Sequence, residues 1–115
     1  MTDDAIPVPS GQTVTLLDVV HGEPGPDGLT ARFRFLAPAI ARDGGTVDFD
    51  TAAADMVALC ETYALPRLAN IGPVPVQIVV SMSDRPVVFG EAAPEATQYF
   101  EAYRIEDGLC IWDSF

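Results

Sequence analysis

The chain has 115 residues, 17 of them acidic and 6 basic, for a net charge of −11, and it contains no lysine. That length, with a hydrophobic content of 49%, suits one soluble domain with a single modest core. Nucleic-acid binding needs clustered Lys and Arg to neutralise phosphates, and an anionic membrane surface repels an acidic chain, so the charge excludes both as partners.

Residues 1–11 contain neither a basic n-region nor an apolar h-region. They read as a flexible arm, residues 1–12, and not as a secretion signal. Residues 13–115 read as one domain. No stretch approaches the roughly 20 apolar residues that span a bilayer, so membrane insertion is not expected.

Residues 13–20 are β-branched and apolar, and predict a strand. The run His21-Gly22-Glu23-Pro24-Gly25-Pro26-Asp27-Gly28 predicts a loop after it. From residue 29 to 36 the pattern alternates: Leu29, Ala31, Phe33 and Phe35 point one way, Thr30, Arg32 and Arg34 the other. This is a half-buried strand whose polar face looks to solvent, ended by Pro38 and Asp43-Gly44-Gly45.

A helix is predicted over residues 51–64, with Asp50 as N-cap and Pro66 as stop signal. Ala53, Met56, Val57, Cys60 and Ala64 follow helical spacing and form its buried stripe, with Asp55 and Glu61 away from it. A Pro- and Gly-bearing connection, residues 68–75, leads to an apolar strand at 77–82, as expected of a central one. Ser83-Asp84-Arg85-Pro86 turns the chain into a second short strand, Val87-Val88-Phe89, ended by Gly90.

Residues 94–104 fit two patterns, a helical turn starting at Pro94 or a strand entering an Asp-Gly hairpin, and a short helical turn followed by the hairpin is favoured. With Asp107-Gly108 as a two-residue loop, Glu106 pairs with Leu109, Ile105 with Cys110, Arg104 with Ile111 and Tyr103 with Trp112. Tyr103, Ile105, Cys110 and Trp112 then share one apolar face.

Cys60 and Cys110 are too far apart in sequence for a CxxC redox or zinc motif, and both project between helix and sheet. Average layer spacing puts their Cα atoms about 7–8 Å apart, against about 4.4–6.8 Å for a disulfide. An Ala-rich helix permits closer approach, so a disulfide and two buried thiols both remain open.

The catalytic inventory is thin. His21 is the only histidine, and its one candidate nucleophile, Cys60, lies in mid-helix on the core face, away from the helix N-terminus that lowers thiol pKa values. Asp48, Asp50 and Asp55 gather near the helix start but lack calcium-loop spacing, and fit capping and solvation better than metal binding. Asp84 and Arg85 are the candidate ligand-binding pair, the guanidinium suiting a carboxylate; the alternative is a local ion pair. The glycines form no phosphate cradle. Neither metal nor cofactor is expected.

Residues 47–56, Leu59-Cys60-Glu61-Thr62-Tyr63-Ala64-Leu65-Pro66-Arg67, residues 83–90 and Phe100-Glu101-Ala102-Tyr103-Arg104-Ile105-Glu106-Asp107-Gly108-Leu109-Cys110-Ile111-Trp112 resemble a small alphaproteobacterial family of unknown function. Automated naming sometimes labels its members acetolactate synthases. The resemblance implies an N-terminal secretion signal, export and a Cys60–Cys110 disulfide. A signal preceding Met1 would make the protein periplasmic or secreted, and a start at Met1 cytoplasmic. The synthase label itself conflicts with size, since a thiamine-diphosphate carboligase needs several domains.

The expected fold is two-layer α+β, an antiparallel or mixed sheet of about five short strands with one main helix on one face. The expected function is a small acidic, exported interaction or binding module without catalytic chemistry. The alternative is a regulatory domain binding an amino acid or 2-keto acid. A protein partner, a small molecule and a homo-oligomer all remain open.

Overall fold

Strand-forming runs, alternating apolar and polar in β2 and largely apolar in β3, build β1 (Thr15–Gly25), β2 (Gly28–Leu36), β3 (Gln77–Ser83), β4 (Gln98–Glu106) and β5 (Leu109–Asp113), side by side in that order. The computed structural model describes residues 5–25, 28–68 and 75–113. β2 and β3 run parallel and the other neighbours antiparallel. Parallel neighbours require a crossover. It contains α1 (Phe49–Leu59), prolonged by a π-helical turn (Cys60–Ala64) and a last helical turn (Leu65–Arg67). The chain therefore adopts the expected α+β class, with a mixed sheet and one main helix.

Ala31, Phe33 and Phe35 of β2, Ile78, Val80 and Met82 of β3, Tyr103 and Cys110 bury against Ala52, Met56, Leu59, Cys60 and Ala64 of the helix. β3 is buried along its whole length, as its central position demands. Tyr63 closes one side of this core, edge-on to Phe35 with ring centroids 5.7 Å apart.

The structure corrects several local expectations. β1 continues through His21 to Gly25 where a loop is predicted. Register shifts between Leu16 and Asp18 and between His21 and Glu23, with Gly22 at φ 82°, let the strand absorb this Gly-rich run as bulges. His21 is thus an exposed strand residue opposite Ala31. The rest of that predicted loop, Pro26 and Asp27, lies outside the described residues, as do positions 1–4 of the arm, 69–74 of the connection and 114–115.

The helix begins earlier than predicted. Asp48, not Asp50, is the N-cap, its carboxylate accepting the Thr51 N–H at 2.9 Å. The buried stripe is rotated as well: Val57 is exposed, and Asp55 is fully buried rather than solvated. Asp55 accepts the Ser10 N–H at 3.0 Å, the Ser10 hydroxyl at 2.5 Å and the Gln12 side-chain amide at 2.7 Å. A carboxylate whose oxygens are filled in this way can sit in the interior, a circumstance that hydropathy periodicity does not encode. Over its described residues, 5–12, the predicted arm lies on the core. Ile6 donates its N–H to the Val14 carbonyl at 2.7 Å, and the side chains of Ile6 and Val8 pack on the cluster.

Pro66 does not stop the helix. The Leu65 N–H reaches the Cys60 carbonyl, five residues back, and the chain stays helical to Arg67. This wider turn relieves the clash between a proline ring and the carbonyl four residues before it. The Cys60 and Cys110 sulfurs lie at bonding distance, 2.03 Å, with Cα atoms 6.2 Å apart. The approach is closer than average layer spacing because Ala52 and Ala64, both fully buried, face the sheet.

The β4–β5 hairpin has the predicted register at all four pairs. Asp107 and Gly108 have φ values of 52° and 75°, the sign that a two-residue type I′ loop requires. Trp112, predicted to look inward, is 62% exposed. Its indole N–H donates to Glu101 at 2.6 Å. Before β4 there is only a tight turn, the Ala96 N–H meeting the Ala93 carbonyl at 3.0 Å, in place of the favoured helical turn. Residues 87–89 are an irregular loop, not a strand, because β4 occupies the edge of β3 that they would need.

Candidate ligand site

The sheet face opposite the helix, on which only the Thr30, Arg32 and Arg34 side of β2 is expected to meet solvent, is roofed. A loop leaves β3 at Asp84 and returns to β4 at Thr97, and its base is closed by paired bonds. Asp84 N–H donates to the Thr97 carbonyl at 3.1 Å, and Thr97 N–H to the Asp84 carboxylate at 2.9 Å. Arg42 holds the returning limb, its guanidinium donating to the carbonyls of Pro94 at 3.0 Å and Ala96 at 3.3 Å. Arg34 holds the outgoing limb through the Val87 carbonyl. Ends that meet in this way define an Ω-type loop. Its tip is a tight turn in which the Glu91 N–H meets the Val88 carbonyl and Gly90 takes φ 86°.

Under this roof lies a cavity of about 270 Å³. Its floor is outer-face residues of three strands: Arg32 and Arg34 of β2, Ser81 and Ser83 of β3, and Gln98 and Phe100 of β4. The register explains the grouping, since Arg34 lies beside Ser81 and Ser81 beside Phe100. The Ω-loop supplies residues 87–93, with Glu91 exposed among them. Arg34 is 7% exposed and pairs with Asp18 of β1 at 2.7 Å. The Arg32 guanidinium lies between two aromatic rings, 5.5 Å from the centroid of Phe89 and 5.7 Å from that of Phe100. Such cation–π contacts fix the plane of a guanidinium.

Two of the six arginines of an acidic chain thus meet over serine hydroxyls in one small cavity. A low-dielectric recess with fixed guanidinium and hydroxyl donors is suited to a carboxylate. At about 270 Å³ it lies at the small end of ligand pockets, which span about 300–1,000 Å³.

The predicted pair stands at the root of the roof. Asp84 has a side chain only 4% exposed, turned inward to hold Thr97. The Arg85 guanidinium beside it and the Thr97 N–H keep its carboxyl below the usual range. Arg85 is half-exposed, contacts Asp84 at 3.1 Å, and does not line the cavity. Arg32 and Arg34 escape sequence reading because an alternating polar face normally means solvent, and Ser81, Ser83 and Gln98 because they fall in a nearly continuous apolar run, a turn and an ambiguous segment. The available signal was the Arg-x-Arg and Ser-x-Ser spacing of two strands, which acquires meaning only once they are known to be neighbours.

A second cavity, about 770 Å³, opens between residues 5–7, Leu16 and the helix end at Thr62, Tyr63 and Arg67. Its walls are mainly apolar. Arg67 stacks on Tyr63, 3.5 Å from the ring centroid, and donates to its carbonyl, so this cavity offers one cation against two under the roof. Among the described residues no cluster of three His, Cys, Asp or Glu is placed to hold a metal. Asp48 caps the helix, Asp50 lies in its first turn and Asp55 anchors residues 10–12. Among those residues, too, no helix is long and apolar enough to cross a membrane.

A family model described as "Family of unknown function (DUF6497)" matches residues 1–115. No curated protein and no solved structure matches the chain.

Proposed function

The chain belongs to this family of unknown function, and from that premise we propose that it is a binding module whose ligand is a small organic carboxylate held under the Ω-loop. The observation that carries the reading is the convergence of Arg32, the Asp18-paired Arg34 and the Ser81 and Ser83 hydroxyls on one roofed cavity. Among the described residues the lining supplies hydroxyls, with the carboxylate of the exposed Glu91 and no imidazole or amine beside them, which favours binding over turnover. The Cys60–Cys110 bond suits an oxidising compartment, periplasmic or extracellular.

Thermal-shift titration with acetate, benzoate, 3-phenylpropanoate and succinate tests the assignment. A ligand at a hundred times its Kd stabilises the fold by about 2.7 kcal/mol, and Arg32→Met is expected to abolish the response. Absence of a saturable shift with every carboxylate refutes the assignment. Val88, Phe89 and Phe100, exposed around the mouth, favour a second reading in which a partner protein docks on this face. Docking with no response to small carboxylates would select it.

A further inference from the structure

The larger cavity, of about 770 Å³, is built independently of the roof. Ile6 is held beside the start of β1 by its N–H bond to the Val14 carbonyl, and residues 5–7 with Leu16 form one wall. The other wall comes from the end of the helix, where the Leu65 N–H reaches back to the Cys60 carbonyl and widens the turn. Single π-turns within α-helices gather at functional sites, and this one supplies Thr62 and Tyr63 to the cavity. Edge-on contacts to Phe33 and Phe35, with ring centroids 6.4 and 5.7 Å apart, hold the Tyr63 ring in place.

We infer that this cavity is a second binding site, for a single-chain fatty carboxylate whose hydrocarbon tail lies along Ile6, Pro7, Leu16 and Tyr63 and whose head meets Arg67. Charge complementarity carries the step. In a chain of net charge −11, the one charged side chain in the described lining is a cation, Arg67. Among the described residues it joins no ion pair, and its hydrogen bond to the Tyr63 carbonyl uses Nη1 alone. Its stacking on the Tyr63 ring, 3.5 Å from the centroid, fixes the guanidinium against the cavity wall. The planar fork suits a carboxylate, and one cation matches a head of one negative charge. A phosphate, carrying nearly two, would stay half neutralised beside an acidic chain. The apolar walls call for a tail, and the volume of about 770 Å³ is within the range of ligand pockets.

Calorimetric titration of the full chain with butanoate, hexanoate, octanoate and the uncharged 1-octanol tests this. Octanoate is expected to bind at one site, with affinity rising about fourfold for each CH₂ that the walls bury. It should bind at least about tenfold more tightly than 1-octanol, the scale of one charge-assisted hydrogen bond. Arg67→Met, at an exposed position, keeps an apolar side chain over Tyr63 and is expected to bring octanoate down to the level of 1-octanol. Arg32→Met is expected to leave octanoate binding unchanged, which separates this site from the one under the Ω-loop. If octanoate gives no saturable heat, or Arg67→Met leaves its advantage over 1-octanol intact, the inference is overturned. Equal affinity for 1-octanol in the unmodified chain overturns it too, and marks the groove as a surface for any apolar partner. Loss of octanoate binding in Arg32→Met also overturns it, by placing the ligand under the roof.

Discussion

Removing the Cys60–Cys110 cross-link measures how much of the fold rests on tying the helix to the last hairpin. The two residues are 50 positions apart, and closing a loop of that length removes about 4 kcal/mol of chain entropy from the unfolded state at 25 °C. Whole domains are stable by only about 5–15 kcal/mol, so the Cys60→Ala/Cys110→Ala variant is expected to fold but to melt lower by on the order of 15–20 °C. Alanine is the choice because Cys60 is fully buried and Cys110 nearly so, and serine would bury a hydroxyl. Equilibrium urea unfolding is the assay, with the oxidised protein, the reduced protein and the double variant compared. The reduced protein keeps its sulfurs. Agreement between it and the double variant assigns the loss to the cross-link and not to the small void left by alanine. The slope against urea should rise in both, because an untied unfolded chain exposes more surface. A loss below about 1 kcal/mol, or an unchanged slope, would refute the entropic account.

Other outcomes follow from single contacts. Asp55→Ala strands the donors of Ser10 and Gln12 and is expected to cost about 3 kcal/mol by chemical denaturation; limited proteolysis should show faster cleavage before residue 13, and an unchanged cleavage rate would count against Asp55 as the anchor. Gly108→Ala places a side chain at φ 75° with nothing within 4 Å of the new Cβ, so the loss should be pure backbone strain, about 1 kcal/mol, with the hairpin retained in amide spectra. The carboxyls of Asp48 and Asp84 are held below their ordinary value of 3.8, the first chiefly by the Thr51 N–H and the second chiefly by Arg85. A depressed carboxylate contributes stability that is full above its unfolded pKa and is lost as pH falls through the folded one. Stability should therefore decline as pH drops below about 4, and Asp84→Asn should flatten that acid limb in a pH series of melting curves.

Some of this architecture was written locally and some was not. The β4–β5 hairpin was legible because Asp107-Gly108 suits the positive φ values of a two-residue loop, and a fixed loop fixes every pair behind it. The helix was legible in its existence, but neither its ends nor its rotation were. Its spacing admits two adjacent stripes, and the buried one contains Asp55, whose donors come from residues 10 and 12. The run Val87-Val88-Phe89 has strand composition, yet a strand needs a free neighbour and β4 already occupies that edge of β3.

The same division separates the two candidate sites. Asp84-Arg85 is an ion pair between adjacent residues and could be read from the chain directly; the structure uses Asp84 to close the base of a loop. The cavity of Arg32, Arg34, Ser81 and Ser83 draws on strands nearly fifty residues apart. By itself, the sequence determined the acidic charge, the α+β class, the hairpin register and the inward aim of both cysteines, since each depends on neighbours along the chain. Only the tertiary structure decided that the cysteines meet, that Asp55 is buried and that the arginine face is roofed. Those outcomes depend on distances between segments that local patterns do not encode.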